Sequence, residues 1–216
     1  MARGHAAAEV ERTYGRAYTL CQQVPATPQL APVLLGLWRF ALVRANLPQA
    51  RTLGEQLLSL AQRAADPALL VLAHYALGVT LFWCGDLLRA LTHLEAGIAH
   101  YDPRQHHALA FQSGQDPGVA CLAFAARTLW ILGYPDQAVQ RAQAALQCAQ
   151  NLAHPFSEAF AQTFMAYVYL RRQEWHTAHT HIQAVLALAT KHGFPFWQGL
   201  GAIQRGWVLA AQDQPE

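Results

Sequence analysis

The sequence predicts an all-α protein made of antiparallel helix hairpins that recur about every 40 residues, a period typical of helical repeat arrays. Three observations carry this expectation. Hydrophobic residues make up 53% of the 216-residue chain and charged residues only 13%, with Ala and Leu prominent and runs of Val, Ile and Thr nearly absent. Such a composition suits helices packed on helices rather than strands. Four turn-like strings, ANLPQA (45–50), CGDLLRA (84–90), GYPDQA (133–138) and QEWHTA (173–178), each close on an alanine: Ala50, Ala90, Ala138 and Ala178. The first and last intervals between these alanines are equal, and the middle one is longer. A second mark keeps the same register. From Pro155 to Pro195 the chain advances by the shorter interval, and from Pro67 to Pro155 by one shorter and one longer interval together. Proline fits the first turn of a helix, where its missing N–H leaves no intrahelical bond unmade. Two independent marks at one period identify a repeat array.

Taken in order, residues 6–23 have helical spacing, with Val10, Tyr14, Ala17 and Cys21 on one face, and Pro25 and Pro28 end that helix. A second helix is expected to run to about Asn46 and, after the turn Asn46-Leu47-Pro48, a third to about Ala65. The expected units are a half repeat at 6–24, repeats at 27–66, 67–101, 119–152 and 155–192, and a half repeat at 195–212, all within one domain spanning 1–216. A loop over 102–118 interrupts the array and accounts for the one enlarged spacing. Its Asp102-Pro103 and Asp116-Pro117-Gly118 strings are strong turn signals, and Asp116 is placed to cap a helix starting near Val119.

Leu77-Gly78, Leu81, Gly85, Ala90, Leu94 and Gly97 resemble the tetratricopeptide repeat, in which small residues sit where two helices cross too closely for a long side chain. Other units match more loosely: Ala125-Ala126 and Met165-Ala166 stand in place of Leu-Gly, and Gly206 restores the glycine. The strings YDPRQH and GQDPGVACL, with LWILGYPDQAVQRAQAAL and LAHPFS, are similar to the C-terminal repeat region of bacterial signalling proteins that join a nucleotide cyclase domain to an AAA-type (STAND) ATPase. The resemblance implies a right-handed α-solenoid and a regulatory segment of a larger protein. No Gly-rich phosphate loop or paired-aspartate metal site of the cyclase or ATPase domains is present in the sequence. Residues 6–23 and 197–212 look like half repeats, from which self-association through the terminal units is expected.

In tetratricopeptide arrays the first helix of each hairpin lines the concave groove. Carried across unit by unit, the resemblance implies a groove formed by Leu35, Arg39, Leu42 and Val43; Tyr75, Val79, Phe82 and Trp83; Ala123, Arg127, Trp130 and Ile131; Thr163, Tyr167, Leu170 and Arg171; and Ile203 and Trp207. Aromatic and arginine side chains in such a groove suit a peptide, an amphipathic helix or another domain, with bidentate contacts to carboxylates. The alternative is that superhelical curvature buries these aromatics against each other. For the 102–118 loop, two readings stand side by side: Asp102, Arg104, His106, Gln115 and Asp116 contact a partner, or the loop seals the gap between two repeats.

Bulk properties and spacing narrow the function further. With a net charge of +2 and basic residues scattered apart from Arg171-Arg172, the chain lacks the basic stripe that neutralises a row of phosphates, so no nucleic-acid partner is expected. The uncharged stretch Ala68–Gly85 is long enough to span a bilayer, but it fits the repeat register and has no flanking basic cluster. Cys21, Cys84, Cys121 and Cys148 have no Cys-x-x-Cys spacing and read as buried free thiols of a reducing, cytoplasmic compartment. His176, His179 and His181 share one helix without a third converging ligand, so no metal and no cofactor are expected. Ser59, Ser113 and Ser157, and the isolated Glu95 and Glu158, form no catalytic constellation. The expectation is therefore a non-enzymatic scaffold for protein interaction or signal sensing. A small-molecule sensor with an apolar ligand in the groove, and a structural oligomerisation spacer, are the alternatives.

Overall fold

Proline, asparagine, aspartate and glycine punctuate the chain where helices start and stop. A computed structural model describes residues 8–23 and 29–212; Pro25 and Pro28 lie outside them. Among the described residues there are twelve helices and no strand. The chain divides into two compact units, residues 1–101 and 102–216.

The first unit contains α1 (Ala8–Gln22), α2 (Leu30–Val43), α3 (Leu47–Ala64), α4 (Pro67–Trp83) and α5 (Leu87–His100). Each helix packs on its neighbour in sequence, and α2 also meets α4. Glycines mark the close approaches: a Cβ on Gly36 would collide with the Tyr14 ring, and one on Gly78 would lie 2.7 Å from the Leu94 side chain. Trp38 is 1% exposed, and its indole Nε1 donates to Thr80 Oγ1 at 2.9 Å. A buried polar tip is thereby satisfied inside an otherwise apolar core.

The second unit contains α6 (Pro103–His106), α7 (Ala108–Ser113), α8 (Pro117–Ile131), α9 (Pro135–Asn151), α10 (Pro155–Arg171), α11 (Trp175–His192) and α12 (Pro195–Gln212). Three hairpin-opening helices, α8, α10 and α12, lie side by side, with α9 and α11 packed between them in sequence. The continuous loop expected over 102–118 is instead two short helices, α6 and α7. Asp102 starts α6 by accepting the Arg104 N–H at 2.9 Å ahead of Pro103, and Gly114 ends α7 at φ +73°.

One turn geometry recurs within both units. Ala45, Gly85, Gly133 and Gln173 all have positive φ, between 56° and 88°. The following residue in each case donates its N–H back to the carbonyl five residues earlier: Asn46 to Ala41, Asp86 to Leu81, Tyr134 to Leu129 and Glu174 to Tyr169, all at 2.9–3.0 Å. This is the bond pattern that closes a helix with a left-handed residue. Four residues beyond each N-cap sit Ala50, Ala90, Ala138 and Ala178, all with no exposed surface. Ala178 shares a core cluster with Ala166, Leu170, Ile182 and Val208, which joins α10, α11 and α12.

The thiols depart from expectation. Cys121 is buried, but Cys21 and Cys148 are only partly so, and Cys84 is exposed because it is the C-cap of α4, where the chain leaves the core. Among the described residues no helix is long and apolar enough to cross a membrane.

The turn geometry makes a stability prediction. Gln173 occupies, at φ +61°, a position filled by glycine in two of the four turns. Left-handed backbone disfavours a residue with a Cβ, so Gln173→Gly is expected to raise unfolding stability in urea by about 0.5–1 kcal/mol. A decrease would show that the Gln173 side chain contributes more than its backbone costs.

Candidate functional site

The register places residues 127, 167 and 207 at equivalent positions on α8, α10 and α12, and these helices are neighbours within the second unit. Their side chains meet. The Arg127 guanidinium lies 4.5 Å from the centre of the Tyr167 ring and 5.4 Å from that of Phe164. Arg171, one turn beyond Tyr167, lies 5.1 Å from the same ring and 5.1 Å from that of Trp207. The result is a continuous row, Arg127–Tyr167–Arg171–Trp207, in which each cation rests on an aromatic face.

Two charges stacked so closely affect each other. Burial pushes the Arg127 pKa down from its ordinary value, the Tyr167 hydroxyl opposes that shift, and the charge of Arg171 adds to it. Arginine remains a cation at neutral pH even so. Arg171 is exposed and, among the described residues, has no carboxylate within ion-pair distance. Trp207 is 41% exposed and Ile203 70%. The row therefore combines accessible cationic and aromatic surface, the composition of side chains that anchor protein contacts.

Other expected groove residues fall differently. Trp130 is half-buried against the cluster of Ala126, Ala142, Met165 and Val168. Leu170 is 1% exposed and belongs to the hairpin core, so it is not a surface group. In the first unit, Tyr75 and Phe82 are buried: Tyr75 meets the Trp38 ring edge-on at 5.1 Å, and Phe82 meets Trp83 at 5.3 Å. Because α4 is apolar on nearly every side, its rings are drawn into packing; Trp83, at its end, stays half exposed, and Arg39 is partly exposed.

The polar groups of 102–118 are largely committed to local bonds. Asp102 accepts from the Arg104 N–H and from Gln105 Nε2 at 2.8 Å, and the Arg104 bond holds its carboxyl below the usual range. His106 is buried, and its Nδ1 accepts the Asp102 N–H at 3.0 Å. Asp116 has no exposed surface: it caps α8 through Val119 N–H at 2.8 Å and donates its own N–H to Ser157 Oγ at 3.0 Å. Ser157 also lies 2.9 Å from His154 Nδ1, the N-cap side chain of α10. These three residues tie the starts of α8 and α10 together. Arg104 is exposed and Gln115 partly so. Among the described residues no group of three or more His, Cys, Asp or Glu side chains is arranged to hold a metal ion. A cavity of about 220 Å³ lies in the first unit, lined by Tyr18, Leu30, Leu34, Gln56, Ser59, Leu60 and Arg63; none of these belongs to the row.

No protein-family model matches the chain, and no curated protein matches it. Among solved structures, it is similar to the crystal structure of the apo form of RapI, with a TM-score of 0.62 and 14% sequence identity over 94% of this chain. The chain spans about half the length of RapI, covering 54% of it. At that identity the likeness concerns the fold, and the chain is accordingly a helical-repeat protein.

The Asp116 junction has a measurable weight. Asp116→Ala removes the α8 cap, and a cap of this kind contributes about 0.5–2 kcal/mol. With the carboxylate fully buried, the loss is expected toward the upper end by urea denaturation; a loss below about 0.5 kcal/mol would show that the junction is not structural.

Proposed function

We propose that the chain is a non-enzymatic helical-repeat scaffold that binds an acidic protein segment along the Arg127–Tyr167–Arg171–Trp207 row. The observation that carries this reading is the exposed Arg171, held between the Tyr167 and Trp207 rings at 5.1 Å from each. Stacking fixes the guanidinium while leaving its N–H edge free to meet a carboxylate in a bidentate pair. The RapI-like fold supports an interaction role. On the strength of the sequence resemblance, we further propose a single repeat domain over 1–216, wound as a right-handed solenoid. It is read as a cytoplasmic regulatory segment of a bacterial cyclase/ATPase signalling protein, with other domains of that parent as partners. Within the second unit Trp130, three residues beyond Arg127 on α8, extends the proposed surface, and Arg104 and Gln115 are proposed as separate partner contacts of the 102–118 segment.

Binding is tested with a labelled amphipathic peptide of leucine and glutamate, compared with the same peptide carrying lysine for glutamate. The acidic peptide is expected to bind at least roughly tenfold more tightly, a margin of about 1.4 kcal/mol. Arg171→Ala combined with Tyr167→Ala, and Arg127→Ala combined with Trp130→Ala, should each abolish that preference. Equal binding of both peptides, or acidic-peptide binding unchanged in both variants, contradicts the reading.

A second reading, self-association, is favoured by α12, which exposes Phe196 (69%), Ile203 (70%) and Leu209 (51%) on one terminal helix. Phe196 and Ile203, seven residues apart, lie on one face of α12, and exposed apolar surface of this kind marks contact sites. Light scattering should show a mass that rises with concentration and falls back to monomer in Ile203→Glu/Leu209→Glu; a strict monomer at high concentration counts against it.

A further inference from the structure

Two hairpins carry a polar pair at the same register. In α10–α11, Gln162 Oε1 lies 2.7 Å from His181 Nδ1, 19 residues along the chain. In α4–α5, the corresponding residues are His74 and His93, also 19 apart, with Nδ1 3.0 Å from Nδ1. In α2–α3, the register positions are Leu34 and Leu53, both buried. In α8–α9 they are Leu122 and Arg141, so the repeat fills this register with pairs of differing chemistry, of which two are amide–imidazole and imidazole–imidazole contacts.

The two polar versions respond differently to protons. His181 Nδ1–H donates to an amide oxygen, a bond available to neutral and charged imidazole alike. Two Nδ1 atoms at 3.0 Å can bond only when one carries a proton and the other does not. A second proton places donor against donor and cation against cation. His74 is further crowded by His100, whose ring stacks on it at 5.8 Å between centroids.

We propose that the His74–His93 contact is a proton-sensitive latch on the α4–α5 hairpin, closed by one shared proton and opened when both rings are charged. Its surroundings favour the neutral pair. Burial first, then His93 and His100, lower the His74 pKa to about 4; burial and then Arg89 lower that of His93. α5 also carries Glu95, two residues beyond His93. α2 and α3 pack against α4 and carry Arg39, Arg51, Glu55 and Arg63, of which the acidic Glu55 is paired with Arg51 at 2.9 Å. The sign follows from linkage: the unfolded hairpin takes up protons below pH about 6.5, and the folded one resists until about 4. Stability of this hairpin therefore falls as pH drops through that window.

His154 and His181 in the second unit are also pushed down by burial, so the latch is read locally, by amide hydrogen exchange on the intact chain. Between pH 7 and 4.5, after correction for intrinsic exchange, protection in α4–α5 is expected to drop roughly tenfold or more relative to α10–α11. His74→Gln, which reproduces the Gln162–His181 pair, should remove that drop. Gln162→His, which installs a second His–His pair, should create one in α10–α11 and carries the test independently if His74→Gln does not fold. Equal protection loss in the two hairpins of the natural chain overturns the proposal. So does a drop that persists in His74→Gln, or no new drop in Gln162→His.

Discussion

Close crossing of the two helices in each hairpin is the constraint from which the rest follows. Ala50, Ala90, Ala138 and Ala178 are completely buried at the start of each returning helix, and a longer side chain there would force the helices apart against an already packed core. Because each alanine sits at a fixed distance from a left-handed turn residue, turn and crossing lock the same register. In the second unit this register turns regular spacing along the chain into proximity. Arg127, Tyr167 and Trp207 occupy the same position on successive neighbouring helices and therefore form a row.

The same regularity explains what could be read from the sequence. The hairpin-opening and hairpin-returning helices were legible because their punctuation is chemical: Asn46, Asp66, Asp86 and Asp116 cap helix starts, and Gly85 and Gly133 supply positive φ. Ala45, Ala65, Ala153 and Gln173 adopt the same backbone without any residue-type signal, so only their place in the repeat marks them. The short helices α6 and α7 were not legible, since four and six residues are too few to show a hydrophobic period.

For the candidate site, equivalence along the repeat located the second-unit row, but it could not foretell that Tyr75, Phe82 and Leu170 are buried. A helix that is apolar on nearly every side, as α4 is, gives no pattern by which to tell a surface from a core face. The Trp38–Thr80 bond and the His74–His93 pair escaped notice for a related reason: each joins residues unremarkable on their own. A comparison of Gln162–His181 with His74–His93 at their common 19-residue separation is the signal that finds the second. With only 13% charged residues, the chain carries polar chemistry, among the described residues, at caps, at inter-helix pairs and along the cation–aromatic row of the second unit.

A double-mutant cycle tests the Arg127–Tyr167 contact of that row most directly. Unfolding free energies of the natural chain, Arg127→Ala, Tyr167→Ala and the double variant give the interaction between the two side chains separately from the loss of either. For a partly buried guanidinium 4.5 Å from the ring centre, a favourable coupling of about 0.5–2 kcal/mol is predicted; a coupling indistinguishable from zero contradicts the placement of Arg127 on Tyr167.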